Sequence, residues 1–179
     1  MTLKLGSVQI KQDCDENPDT SWIGEFTDTF SLDAMLWSTG EFLCDMPEGW
    51  EPPNRGRECR YFKPYAGGEK PDSKDWREYA KQDWEYMRKL ERGDCGFVGI
   101  TAVATVLNPC LGNPGSSRIH WIKSGGLWGV EAEYGKENAA YRKSVAEDEI
   151  ANLRVELEAF GVGLENFDEL AKKALEEME

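Results

Sequence analysis

Phe97–Leu107, FVGITAVATVL, alternates along its whole length between two sets of side chains. Val98, Ile100, Ala102, Ala104 and Val106 are all apolar, whereas Phe97, Gly99, Thr101, Val103, Thr105 and Leu107 are mixed. Period-two alternation of this length reads as a strand, and the purely apolar set marks one face as fully buried. Arg118–Lys123, RIHWIK, alternates as well and supplies a hairpin partner. The link Asn108–Ser117, with Pro109, Gly112, Pro114 and Gly115, is longer than a tight hairpin needs and is a candidate contact loop. Ser124-Gly125-Gly126-Leu127-Trp128-Gly129-Val130-Glu131 follows, read as a turn that docks Leu127 and Trp128 into the core.

Two helical patterns flank this hairpin. Ser73–Arg92 places Trp76, Tyr79, Ala80, Trp84, Met87 and Leu90 on one face, with Ser73 or Asp72 as cap and Gly93 as terminator. Glu137–Phe160 offers Tyr141, Val145, Ile150, Leu153, Leu157 and Phe160 as an inward stripe, broken by Gly161 and Gly163. Asn166 with Glu169 suggests a capped terminal helix running to about Met178. Upstream, Leu3, Leu5, Val8 and Ile10 suggest a first strand with a slip near Gly6-Ser7. Ser31–Trp37 suggests a short helical turn, Gly40–Cys44 a weak strand and Arg57–Tyr65 another strand. The expected fold is α+β: an antiparallel sheet packed against two long helices on one face, with a short C-terminal helix. A single domain over 1–179 is expected, with a strand- and loop-rich part at 1–72, a helix–hairpin–helix core at 73–163 and the terminal helix at 164–179. Trp84, Val103, Trp121, Trp128, Leu153 and Leu157 are the expected core.

SGGLWGVE and the acidic helix ending at Phe160-Gly161-Val162 resemble a group of small uncharacterised proteins of tailed bacteriophages and prophages. The likeness extends to Trp22–Asp28, to Arg60-Tyr61-Phe62-Lys63-Pro64 and to Gln82-Asp83-Trp84-Glu85 with Gly93-Asp94. Where members of the group continue with Ser-Asp-Ser, this chain has Ala132-Glu133-Tyr134. The resemblance implies a phage context and carries no activity with it.

Charge is spread unevenly. Residues 1–54 hold two basic and eleven acidic side chains, a net of −9. Residues 55–93 hold eleven basic and eight acidic, a net of +3, and residues 94–179 hold eight and fifteen, a net of −7. A chain at −13 overall opposes non-specific nucleic-acid binding and suits basic surfaces, including those that normally receive nucleic acid. The exception is a local patch built from Arg55, Arg57, Arg60, Lys63, Lys70 and Lys74. No apolar run is long enough for a membrane span, and the first residues lack a secretory pattern, so the cytoplasm of a host cell is the expected location.

The chemistry open to the chain is narrow. Five cysteines, Cys14, Cys44, Cys59, Cys95 and Cys110, are widely spaced without a C-x-x-C, and read as inert buried thiols rather than a disulfide framework or zinc site. His120 is the single histidine and sits in a strand pattern, which suggests a structural role. Gly112–Arg118 has the makings of an anion-cupping turn, and a plain surface turn is the simpler reading. No cofactor, metal or catalytic set is expected. The expected role is an acidic phage accessory protein that binds a host protein. Its sharpest form is an anti-defence inhibitor, of anti-CRISPR or anti-restriction type, that acts on a nucleic-acid-handling complex by mimicking nucleic acid. Glu147, Asp148, Glu149, Glu156 and Glu158, read as the outer face of the long helix, are one candidate contact; Asp13, Asp15, Glu16 and Asp19 in the first acidic loop are the other. The alternatives are a nucleic-acid binder using the basic segment 55–92, or a carboxylate- and metal-dependent enzyme. The sequence does not set the oligomeric state.

Overall fold

The computed structural model describes residues 3–47, 50, 60–69, 71, 73–110, 116–133 and 138–178. The fold is α+β, and the chain divides into two compact units: Met1–Pro18 with Cys95–Glu179, and Asp19–Asp94. One domain with a core over 73–163 was expected; the division falls inside that core, between Asp94 and Cys95.

The first unit is built on β1 (Leu3–Cys14) and β5 (Cys95–Pro109), paired antiparallel from Lys4 opposite Leu107 to Cys14 opposite Val98. The slip read at Gly6-Ser7 is a shift of register between Leu5 and Ser7. On its other side β5 pairs with β6 (Ser117–Lys123) and, nearer its start, with β7 (Leu127–Glu133). β8 (Val162–Gly163) joins β1 in parallel, so the sheet is mixed rather than purely antiparallel. Sequence gave no sign of β8, because a two-residue strand at a glycine pair looks like a helix stop.

The apolar face of β5 is buried as expected: Ile100, Ala102, Ala104 and Val106 are almost wholly covered. α2 (Ala139–Ala159) lays Leu153 and Leu157, both 0% exposed, against it, and α3 (Phe167–Glu176) adds Phe167, Ala171 and Ala174. Burying a leucine side chain contributes roughly 1.5–3 kcal/mol, so this aliphatic layer dominates the unit. Tyr141 and Phe160, read as ends of the inward stripe, are exposed. Asn166 precedes α3 without a side-chain cap bond, contrary to the expected capping arrangement.

The second unit has a three-stranded sheet in the order β2 (Gly24–Thr27), β4 (Tyr61–Pro64), β3 (Met35–Leu36). The expected helical turn at Ser31–Trp37 contains strand β3 instead, because Met35 and Leu36 pair with Phe62 and Tyr61. Phe42 makes only an isolated bridge to Met35, where a strand was expected over Gly40–Cys44, and a 3-10 turn follows at Leu43–Asp45. α1 (Lys74–Arg92) is capped as expected, with the Trp76 N–H donating to Ser73 Oγ at 3.0 Å and Gly93 left-handed at φ 74°. It was expected on the same sheet face as α2; its packing partners are β4 and the turn at Ala66–Gly68. Trp76, Ala80 and Met87 are buried, while Trp84 is half-buried against Trp37.

Candidate interaction surfaces

The SGGLWGVE segment is where the sheet edge changes direction. Between the pairs Val103–Lys123 and Ile100–Leu127, the edge advances four positions while β5 advances three. The link thus bulges by one residue, a further register shift follows between Val98–Val130 and Ile100–Leu127, and the polar groups at Ser124 and Gly126 are satisfied locally. Ser124 exchanges two bonds with Ala102: its N–H donates to Ala102 O (2.9 Å), and its Oγ accepts from Ala102 N–H (3.0 Å). Gly126 has φ 77° and its N–H donates to Glu149 Oε2 at 2.8 Å. Glu149 also accepts from Asn152 Nδ2 at 3.2 Å and is 6% exposed. It was expected on the outer face of the long helix. It is instead a buried bracket that ties α2 to the bulge, and so leaves the set of contact candidates.

Glu147, Asp148, Glu156 and Glu158 are exposed on α2. At about 100° per residue, Glu147 and Glu158 fall on one flank of the helix, Asp148 lies about 100° further round and Glu156 about 180° from Glu147, so the four are spread around its outer half. Glu158 is partly committed: Arg154 contacts it at 3.4 Å and reaches Asp168 on α3 at 2.9 Å. The other acidic group divides at Pro18. Asp13 lies on β1, Asp15 and Glu16 follow within the first unit, and Asp19 belongs to the second. Asp15 Oδ1 accepts from the Asn17 N–H, and Asp19 Oδ1 from the Ser21 N–H at 3.0 Å. The hydrogen bonds from Ser21 hold the Asp19 carboxyl below its ordinary range.

The basic segment is largely engaged within its own unit. Lys63 pairs with Asp33 at 3.2 Å, and Arg77 grips Asp45 through two 2.7 Å bonds while lying over the Phe42 ring. Arg88 sits 4.9 Å over the Trp37 ring and 5.7 Å from that of Trp84, a pairing of guanidinium and indole worth about 0.5–2 kcal/mol. Arg55, Arg57 and Lys70 of the expected patch lie outside the described residues, as do Cys59, the loop centre 111–115 and Tyr134.

The thiols depart from the expectation of general burial. Cys95 is buried, Cys110 is intermediate, and Cys14 and Cys44 are exposed. Partial desolvation and the charge of Asp45 push the Cys44 thiol up, against the pull of Arg77. His120 is exposed on β6 opposite Val106. Among the described residues no three His, Cys, Asp or Glu side chains come together as a metal site, and no helix is long and apolar enough to cross a membrane.

Sequence reasoning missed an exposed aromatic face. Trp121 and Trp128 were expected in the core and are 69% and 53% exposed. Trp121 lies opposite Thr105, on the mixed face of β5 rather than the apolar one. The Trp128 ring rests on Gly99, where a Cβ would come within 2.4 Å of it. A glycine in the middle of a central strand was the available signal, since it often marks a close approach by another group. Comparison of the chain with protein-family models, curated proteins and solved structures finds no match.

Proposed function

We propose that the chain is an acidic accessory protein of tailed-phage type that binds a basic surface of a host protein in the host cytoplasm. The sharpest version is an anti-defence inhibitor that occupies the nucleic-acid site of a host complex. The observation that carries this reading is the exposed carboxylate set Glu147, Asp148, Glu156 and Glu158 on a helix whose opposite side is locked into the core by Leu153 and Leu157. Charges on a rigid element lose little freedom on contact, so they favour association with a complementary positive surface. Both units add to the field: the first holds ten basic and seventeen acidic residues, the second eleven and seventeen. The resemblance of SGGLWGVE and its helix to phage proteins supplies the biological setting. Nucleic-acid binding by the segment 55–92 is less well supported, because Lys63, Arg77 and Arg88 already have carboxylate partners.

The test is capture from nuclease-treated host extract by the intact chain and by a variant with Glu147, Asp148, Glu156 and Glu158 all changed to lysine. Glu149 is left in place because the fold uses it. The expected result is a partner that is lost on charge reversal and released as salt screens the contact, over a Debye length of about 8 Å at physiological ionic strength. A partner that binds both chains equally would defeat the reading, as would hydrolytic turnover by the purified protein.

A further inference from the structure

We infer that the face of the first unit's sheet turned away from α2 and α3 is a platform for single-stranded nucleic acid, separate from the acidic helix. Directly opposed residues of an antiparallel pair share a face. Trp121 opposite Thr105, Ile119 opposite Leu107 and Lys123 opposite Val103 therefore lie together with Lys11 opposite Thr101 and Lys4 opposite Leu107. Trp128, over Gly99, completes the row. Gly99 and Thr105 are six positions apart on β5, which puts the two indoles about 20 Å apart along the strand.

The distribution of cations gives this face its ligand class. Elsewhere in the unit, Arg154, Lys172 and Lys173 pair with carboxylates, while exposed Arg118, opposite Asn108 on the other face of β6, stands alone among the described residues rather than in a group. Lys4, Lys11 and Lys123 are exposed and have no ion-pair partner among the described residues. Ser7, Gln9, Thr101 and Thr105 lie on the same face and can bond to base edges or sugars. Asp13, opposite Gly99, and Glu131, opposite Phe97, make the Trp128 end negative, so phosphates belong at the Trp121 end. An acidic peptide would satisfy the lysines and leave the indoles in water. A nucleotide brings a charge and a π-face together, and single strands can splay their bases onto such rings.

The experiment measures binding of a short fluorescent oligothymidylate to the full chain at low salt, beside a duplex of equal length and polyglutamate. The single strand is expected to bind and to quench tryptophan emission, with a slope of log K against log salt no steeper than about −2 for three phosphate contacts. Trp121→Ala should weaken it about tenfold while Trp121→Phe restores most of the loss. Trp128→Tyr should cost little, and Asp13→Asn should tighten binding. Unchanged melting of each variant separates these effects from misfolding. The inference is overturned by no binding of the oligothymidylate, by binding indifferent to Trp121→Ala, by stronger binding of the duplex, or by polyglutamate binding that depends on Trp121. Reversal of the four α2 carboxylates should not weaken oligothymidylate binding, so loss of the platform and loss of the acidic contact are distinguishable.

Discussion

The two units reach stability by different routes. The first pairs strands of 12 and 15 residues and covers them with a 21-residue helix, so that alanine, valine and leucine at regular spacing merge into one aliphatic layer. The second has strands of four, two and four residues. Ladders so short supply few hydrogen bonds, and rings and charges do the rest. Phe26 meets Trp37 edge-on at 4.7 Å, Trp37 lies 5.8 Å from Phe62, and Trp84 Nε1 donates to Trp37 O at 3.1 Å. A layer of interchangeable methylenes tolerates drift in any one position. A set of individually oriented rings does not, so the second unit should respond to changes of shape and the first to changes of volume.

The largest effect expected is in the aliphatic layer. Leu153→Ala should cost about 2–5 kcal/mol, measured as a fall in the urea midpoint at constant slope. A loss below about 1 kcal/mol would mean that the layer can close over the gap and that the contrast between the units is overstated. Gly24→Ala probes shape in the second unit: a Cβ there would come within 2.5 Å of both Lys63 O and the Phe62 ring. About 3 kcal/mol of destabilisation, with altered near-ultraviolet dichroism from the displaced rings, is the expected outcome. Glu149→Ala leaves the Gly126 N–H without its acceptor and should cost about 1–3 kcal/mol, whereas Glu149→Gln keeps an acceptor and should cost clearly less. Equal losses for the two would remove the hydrogen bond as the cause.

The smallest effect expected has the opposite sign. Burial holds the Asp83 carboxyl above its ordinary range, with the 2.7 Å bond from the Ala66 N–H pulling the other way. A raised acid binds its proton more tightly when folded. Its stabilising contribution is complete below the unfolded value of about 3.9 and is lost as pH rises through the folded value. Asp83→Asn keeps an acceptor for Ala66 and removes the buried charge. It should raise the melting temperature slightly at neutral pH and leave it unchanged near about pH 3, where both forms are neutral. A lower melting temperature at neutral pH would show that the ionised carboxylate is needed.

What could be read beforehand follows the same division. Val98–Val106, Leu153, Leu157 and the Ser73 cap were legible because long elements repeat their signal. β3 and β8 were not, because two-residue strands exist only through the partner they pair with. β7 was hidden by the bulge: Gly125, Gly126 and Gly129 look like a turn until Ser124 and Glu149 are seen to replace the ladder bonds. Glu149 was set outward on its charge alone, although its spacing, four residues after Val145 and four before Leu153, puts it on the inward stripe. Trp121 and Trp128 were placed in the core on hydrophobicity alone, although Thr101, Thr105 and Gly99 already marked their face as mixed.

Cys14 lies opposite Val98 and Asp13 opposite Gly99, yet the whole of Asp19–Asp94 comes between these strands. During translation, β1 leaves the ribosome and waits for a neighbour encoded roughly 80 residues later. At about 5–20 residues per second that wait lasts on the order of 4–16 seconds, far longer than a hairpin needs to close. Over that interval Leu5 and Val8 are exposed on a nascent strand, and the intervening segment can fold before the sheet that surrounds its insertion point exists. The sheet of the first unit would then mature after the segment inserted between its two longest strands, with Leu5 and Val8 among the last of its side chains to be covered.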